Sequence, residues 1–544
     1  RTKTRVYDNN TPKVMFRINN KPILQNILEI VHDQLKINSI IIVISKGDNQ
    51  IRNYFGNGNN FGVTIDYVES DPNLGIADAL YLVKEKIHGI FLVMLGDEFY
   101  INSNHFTIID EKYDNVDALI TFINTDNPQD IANNYSVKVD STMRVKSLFE
   151  KPKTFENNML GLGTFIFKNS IFDYIQKTHK STRTKRKELI DVISTLAKEK
   201  KVYAHKLNSS YININTVDDW KHAKFLSNKT YFNSYRKSLV IPSYNEVESL
   251  PFVINDFKDM VDEIIVADGG SNDGTIEKIS NFENDINLKI IQGKFVGYGD
   301  ALRHGIDKAS GDIIILVEGD ATFRSRDIYK MYEYIKDCDM VIGTRTTKEL
   351  ISQAANMNTG LRIANLLVAK FIELLWIKIE PRLTDVGCTY RTFWKSEYDE
   401  IKQNFIGLGP EFSPEMIIEF LRNDKRVIEI PVSYYGRIGG ASKHSENFSA
   451  IFKTGLKMLS LILKKKFASS KLSPWLDIWN IDMATQSTEF RKKITVQKFP
   501  LLTTFCFLII VSYVAFFHHN FWIVGDDGII YLTAGEQILN GDGK

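Results

Sequence analysis

Twice along this chain, short apolar strand-like runs alternate with helical stretches, and that alternation limits the fold more than any other feature. The first series holds Ser39–Ser45, Val63–Val68, Ile90–Leu95 and Ala118–Ile123. The second holds Ser238–Ile241, Glu263–Ala267, Asp312–Val317 and Met340–Ile342. Such alternation predicts an α/β chain with two consecutive Rossmann-like sheets, mixed but mostly parallel, covered by helices. Sites are expected at the carboxyl ends of the strands. The series share an architecture without a sequence repeat. The polar segment Trp220–Lys237 reads as a helix end plus linker, giving domains at 1–225 and 238–447 with a linker at 226–237.

At 544 residues the chain is expected to form two or three domains. Lys plus Arg is 68 and Asp plus Glu is 66. This balance argues against a nucleic-acid partner, which would call for a basic stripe. The cysteines are Cys338, Cys388 and Cys506, too far apart for a Cys-x-x-Cys metal or redox site. They fit a reducing compartment. The chain starts at Arg1 without a methionine and ends at Lys544 as if cut, so further residues are expected at both ends.

In the second series four pieces follow strands in order: I-P-S-Y-N-E from Ile241, V-A-D-G-G-S-N-D-G-T, G-Y-G-D-A-L-R, and V-E-G-D-A-T-F. Asp268 ends a strand and can accept hydrogen bonds from a base or ribose, while Gly269 and Gly270 permit close approach. A simple turn explains this piece equally well by itself. Glu318 and Asp320 end a buried strand one residue apart, a suitable pair for Mg²⁺ or Mn²⁺ beside phosphate oxygens.

These residues resemble glycosyltransferase family 2, of the GT-A fold, over about 237–443. More narrowly they are similar to the dolichyl-phosphate mannosyltransferase or polyprenyl-phosphate glycosyltransferase group. The family's P-x-Y-N-E is Pro242, Ser243, Tyr244, Asn245 and Glu246 here. Its D-D-x-S-x-D-x-T runs from Asp268 through Gly269, Gly270 and Asp273 to Thr275, and its glycine-rich helix start from Gly297 to Arg303. Its metal-binding D-x-D is Glu318-Gly319-Asp320, with Glu in place of the first Asp. Further on, I-G-T-R ends at Arg345, L-T-D-V-G-C-T-Y-R contains Asp385 and Arg391, and R-x-x-G-x-S-K supplies Arg437 and Lys443. The resemblance implies a nucleotide-sugar donor and a polyprenyl phosphate acceptor. The anomeric centre inverts, with Arg437 and Lys443 facing phosphates. A phosphate acceptor is already anionic and needs no strong base; a hydroxyl acceptor would need one, from Asp385 or Glu411.

The first series carries Thr11-Pro12-Lys13, Lys21-Pro22-Ile23-Leu24, Gly75-Ile76-Ala77-Asp78, Leu95-Gly96-Asp97, Glu150-Lys151-Pro152, Gly161-Leu162-Gly163 and Asn213-Ile214-Asn215. Together they resemble the sugar-phosphate nucleotidylyltransferase family over about 1–225. The resemblance implies that Lys13 neutralises a nucleoside triphosphate. Asp97 and Asn213 hold a divalent cation, and Lys151 holds a sugar 1-phosphate, with Gly75 and Gly163 lining the site. The family's opening glycine loop is missing, so Arg1 or Arg5 is its basic residue if the loop lies upstream. The alternative is a degenerate scaffold that supports its neighbour.

Beyond residue 447, Phe448–Phe467 mixes apolar residues with lysines, including Lys464–Lys466. It reads equally as an interfacial amphipathic helix, within a stretch extending to 498, or as a helix packed on its own domain. Leu501–Phe517 carries no charge, and 499–524 is expected to span a membrane. Arg491, Lys492, Lys493 and Lys498 precede it and Asp526 and Asp527 follow, which places the large domains on the cytoplasmic face. The end, 525–544, resembles the first extracytoplasmic loop of GT-C membrane glycosyltransferases, and equally an ordinary capped helix.

Overall fold

The structure, a computed structural model, describes residues 11–71, 73–109, 116–154, 157–282, 287–355, 357, 359–376, 382–439 and 448–467. Arg5, Lys443, the expected span 499–524 and the segment 525–544 lie outside the described residues. The chain divides into two compact units after Thr230. The helix Val217–Tyr231 takes up the first half of the stretch 226–237 expected to be linker. Its polar composition concealed a packed face, because Ser227 and Asn228 are buried and Ser227 accepts from Asn19 at 2.8 Å.

In the first unit, β1 (Arg17–Ile18) pairs with β2 (Lys21–Pro22), and β3 (Ser39–Ser45) lies parallel to β4 (Thr64–Ser70). The remaining strands are β5 (Ile90–Met94), β6 (Glu98–Ile101), β7 (Ala118–Asn124), β8 (Tyr135–Val139), β9 (Val145–Glu150), β10 (Met159–Lys168), β11 (Val202–Lys206) and β12 (Ser210–Asn213). A six-stranded sheet runs β11–β7–β10–β8–β9, with β5 also on β10. Only β11–β7 is parallel in it; β10 runs antiparallel to β5, β7 and β8. The sheet is mixed, as expected, but the expectation of a mostly parallel one is corrected to a mostly antiparallel one. The β8–β9 hairpin turns at Asp140, whose carboxylate accepts from the amides of Thr142 and Arg144 at 2.9 and 3.1 Å. That side-chain-closed turn makes a crossover helix unnecessary. Strand β6 pairs separately with β12.

The second unit has one seven-stranded sheet, built from β13 (Lys237–Ser243), β14 (Glu263–Asp268), β15 (Leu288–Gln292), β16 (Ile313–Leu316), β17 (Met340–Thr344), β18 (Arg391–Trp394) and β19 (Val427–Pro431). The order is β15–β14–β13–β16–β18–β17–β19, parallel except for β18. Covered on both faces, the central strands read as unbroken apolar runs: Ile264–Val266 and Ile313–Leu316 are wholly buried. Each such side chain contributes about 1.5–3 kcal/mol on burial. The helix Tyr298–Lys308 packs on β13 and β14 through Ala301, Leu302, Gly305 and Ile306. The strand sequence departs in both directions from β13, so the crevice beyond its carboxyl end is the switch point of the sheet.

The helix Phe448–Phe467 packs on this unit along one face, while Lys457 and Lys466 are exposed. Ser460, Leu461, Ile462 and Lys465 are buried. Lys465 Nζ stands 2.6 Å from Glu415 and 2.9 Å from Glu419, and Lys466 donates to the Leu375 carbonyl. No helix among the described residues is long and apolar enough to cross a membrane.

Candidate active site

In the second unit the loops after β13, β14 and β16 meet at the switch point. The first two are laced together. The Asn245 amide donates to Ser271 Oγ at 2.8 Å, and Asn245 Oδ1 accepts from the Asn272 amide at 3.0 Å. The Glu246 and Val247 amides donate to Thr275 Oγ1 and Asp273 Oδ2 at 3.0 and 3.2 Å. Asn245 holds φ +57°, a conformation Asn tolerates better than most residues. Asp268 is buried and organises its own loop: Oδ2 accepts from the Gly270 and Ser271 amides at 2.9 and 2.8 Å, and Oδ1 from Ser271 Oγ at 2.5 Å. A lone pair on Oδ1 is left for a ligand. Gly269 faces the Tyr244 ring, where an added Cβ would sit 3.3 Å away.

Glu318 and Asp320 stand at the end of β16. Asp268 aligns with Ser243 across β14–β13, and Leu316 aligns with Val240 across β13–β16. The loops bearing Asp268 and Glu318 thus flank β13 at one edge, roughly two strand spacings or ~10 Å apart, and Pro242 lines the gap, its carbonyl within 3.4 Å of a Cβ placed on Gly319. Burial, and next the Asp320 charge, push the Glu318 carboxyl up to about 8, with Arg345 acting against them. Asp320 Oδ1 accepts from the Thr322 amide and hydroxyl at 3.1 and 2.7 Å. Its Oδ2 faces Arg437 at 3.6 Å.

Arg437 returns to this cleft from far along the sequence. It ion-pairs with Glu246, and the next amide, of Ile438, donates to the Asp320 carbonyl at 3.2 Å. Burial raises the Glu246 carboxyl, while the Ser249 hydroxyl at 2.7 Å and Arg437 oppose the rise. Arg437 Nε is buried and has no protein partner among the described residues. A buried guanidinium donor in this state suits a phosphate oxygen.

Asp385 does not sit as a base. It takes Arg345 in a fork at 2.8 and 2.9 Å, and the Arg345 amide at 3.0 Å. Burial opposes its charge, yet Arg345 holds the carboxyl below its ordinary range. A carboxylate so engaged is a poor proton acceptor, and it differs from the free base that a hydroxyl acceptor would need. Arg391 is buried and, among the described residues, donates to the backbone carbonyls of Val386, Cys388 and Ser413. Arg303 lies midway along Tyr298–Lys308 with Tyr398 as a charge neighbour. No hydrogen bond or ion pair ties Arg303 to Asp268, Glu318 or Asp320 among the described residues. Gly297 abuts the wall at Leu408, whose carbonyl would lie 2.6 Å from an added Cβ. Glu411 Oε1 accepts from the Gly409 amide at 2.9 Å, while Oε2 is buried without a partner among the described residues.

In the first unit Lys13 ion-pairs with Asp97 just before β6. The Ile214 amide donates to the Asp97 carbonyl at 3.0 Å, which brings Asn213 beside it. Asn213 Nδ2 donates to Asn134 Oδ1 at 2.5 Å, and its Oδ1 is buried without a partner among the described residues. Asn134 also accepts the Lys151 amide at 2.6 Å, joining two motifs that sequence left separate. Lys151 holds φ +47°. The Gly163 amide donates to Glu98 at 2.8 Å, and Glu98 also accepts from Tyr100 at 2.5 Å and Tyr211 at 2.7 Å. Burial pushes Glu98 up to about 7 against those hydrogen bonds. Gly75 lies against the Lys187 backbone, where an added Cβ would meet the carbonyl at 2.2 Å.

No group of three or more His, Cys, Asp or Glu able to hold a metal occurs among the described residues. Each site instead offers two ligands, Asp97 with the orphaned Asn213 Oδ1, and Glu318 with Asp320. That donor set fits a divalent cation completed by phosphate oxygens and water. Sequence reasoning missed Asn134, Glu98 and Glu429. The acid following Asp97 at the head of an apolar strand was a visible signal; Asn134 had none. Glu429 accepts the amides of Thr384 and Asp385 at 2.6 and 2.8 Å.

Residues 5–222 match the family described as nucleotidyl transferase, and residues 238–395 that described as glycosyl transferase family 2. The bifunctional protein GlmU of Methanococcus aeolicus is 30% identical over 205 residues, covering 38% of this chain and 46% of its own. The match thus spans about half the length of that relative. Glycosyltransferase AglJ of Haloferax volcanii is 26% identical over 231 residues, 42% of this chain and 71% of its own. The undecaprenyl-phosphate mannosyltransferase of Micrococcus luteus is 25% identical over 226 residues, 38% of this chain and 86% of its own. The chain therefore carries a nucleotidyl transferase domain followed by a family 2 glycosyltransferase domain.

Proposed function

We propose that the second unit moves a sugar from a nucleotide sugar to a polyprenyl phosphate with inversion, and that the first unit makes the nucleotide sugar. The observation that carries this reading is Arg437, fixed between Glu246 and Asp320 with a buried, unpartnered Nε beside the acid pair. An acceptor phosphate oxygen attacks the anomeric carbon. The bond from that carbon to the nucleoside diphosphate oxygen breaks, and the diphosphate leaves with the electron pair. The phosphate nucleophile is anionic at neutral pH, so no residue removes a proton. The locked state of Asp385 supports that choice over a hydroxyl acceptor.

Asp268 and the glycines after it hold the nucleoside, and Arg437 and Lys443 neutralise phosphate charge. Glu318 and Asp320 would hold Mg²⁺ or Mn²⁺, which when bound offsets the charge of the departing diphosphate. In the first unit Asp97 and Asn213 would hold the cation, Lys13 would turn from Asp97 to a triphosphate, and Lys151 would hold a sugar 1-phosphate. The sugar phosphate oxygen attacks the α-phosphorus and pyrophosphate leaves. The span 499–524 would keep both units at the cytoplasmic face of a membrane.

A second reading, transfer to a glycan or lipid hydroxyl beside an inactive first unit, is favoured by one observation, the unpartnered Glu411 Oε2. Incubation with labelled nucleotide sugars and polyprenyl phosphate decides between them. Label in a lipid phosphate that survives Glu411→Gln supports the first reading. Label only in hydroxyl-bearing acceptors, abolished by Glu411→Gln, contradicts it.

A further inference from the structure

One buried ionic cluster lies outside the cleft and beyond the residues matched to the glycosyltransferase family. Lys465, on the helix Phe448–Phe467, enters between Glu415 and Glu419 of the helix Phe412–Arg422, at 2.6 and 2.9 Å. The two glutamates are 0% and 1% exposed and Lys465 is 7% exposed. Lys465 Nζ also donates to the Asn404 carbonyl at 2.5 Å. The glutamates are not equivalent. Glu419 has a second cation, Arg422 at 3.0 Å. Glu415 instead takes backbone amides: Ile406 on Oε1 at 2.8 Å and Gly407 on Oε2 at 2.7 Å.

Those amides begin the wall that closes on the helix Tyr298–Lys308. The Leu408 carbonyl accepts from the Asp300 amide at 3.0 Å. Gly297 and Gly299 have room for no side chain there: an added Cβ would lie 2.6 Å from Leu408 O and 3.0 Å from Gly407 O. At Gly407 itself an added Cβ would fall 2.7 Å from Glu415 Oε2. One carboxylate thus connects a lysine of the last described helix to the start of the helix bordering the donor cleft.

We propose that Glu415, held by Lys465, is a positioning residue that fixes the wall 404–409 against Gly297–Asp300 and so sets nucleotide-sugar affinity. This rests on the donor-site reading above. Seating of the helix Phe448–Phe467 is thereby registered in the cleft, although that helix touches no reacting group. The matched substitutions Glu415→Gln and Glu419→Gln separate positioning from packing, because each leaves Lys465 one carboxylate and only the first disturbs the wall.

The test measures binding of UDP-glucose and GDP-mannose with Mg²⁺ to the full chain, the donor KM and kcat of the turnover, and amide exchange at 406–409. Glu415→Gln is expected to weaken binding and raise donor KM by about ten-fold, with kcat within about three-fold and faster exchange at 406–409. Glu419→Gln is expected to match the unaltered chain in all of these while losing thermal stability. Should Glu415→Gln fold poorly, Glu415→Gln with Lys465→Met leaves Glu419 paired to Arg422 and is expected to show the same KM shift. Equal binding and exchange in the two single variants overturns the proposal. Failure of the unaltered chain to bind any nucleotide sugar overturns the donor-site reading instead, and the exchange difference still decides whether Glu415 holds the wall.

Discussion

At the scale of single residues, the cleft concentrates charges that satisfy one another only in part. Glu318 shows it most clearly. Its carboxyl lies near 8, against an ordinary value of 4.5, because ionising it beside Asp320 in a buried setting is unfavourable. A raised folded-state value means that the folded protein binds a proton the unfolded chain has lost. The associated stability is complete below about 4.5 and is lost as pH rises towards 8. Melting followed by circular dichroism from pH 5 to 8 is expected to show a falling Tm for the unaltered chain, and a flatter profile for Glu318→Gln. Arg437 gives a second expectation. Arg437→Ala removes the guanidinium that bridges Glu246 and Asp320 and is expected to slow sugar transfer by about a hundred-fold, or ~2.7 kcal/mol. Arg437→Lys keeps the charge without the planar fork and is expected to recover only part of the loss.

At the scale of elements, legibility followed exposure of pattern. The run Ile313–Leu316 was plain in the sequence because a strand buried on both faces is apolar without interruption, and Ser39–Ser45 was plain from its unbroken β-branched centre, Ile40–Ile44, although only Ile44 of it is buried. Strand β10 was not, because Gly161 and Gly163 interrupt it and read as motif rather than strand. Its antiparallel course made the first sheet mixed. Strand β18 hid behind Arg391, a charge that three backbone carbonyls accommodate. The site residues before and after strands, such as Asp97, Asp268 and Asp320, were legible from their position. Their hydrogen bonds were not, so Asp385 looked like a free acid when Arg345 already claims it. Packing between elements gives a further expectation. At Gly305 an added Cβ would lie 2.5 Å from Val240 Cγ1, where helix Tyr298–Lys308 meets the sheet. Gly305→Ala is expected to destabilise the second unit by about 1–3 kcal/mol in urea unfolding, with the first unit unaffected.

At the scale of the whole chain, each unit has its own core, and the division falls at Thr230 and Tyr231. Units with separate cores are expected to fold alone. The order of the two domains suggests a route in which one unit supplies the donor that the other spends on a lipid phosphate. The proposed function depends most on one premise for the second unit, that a divalent cation on Glu318 and Asp320 would hold the diphosphate against Arg437. Thermal stabilisation of the second unit by nucleoside diphosphates, with and without Mg²⁺, in the unaltered chain and in Asp320→Asn, tests this directly. The account predicts stabilisation that requires the cation and disappears in Asp320→Asn. Equal stabilisation without the cation, or undiminished stabilisation in Asp320→Asn, would contradict it.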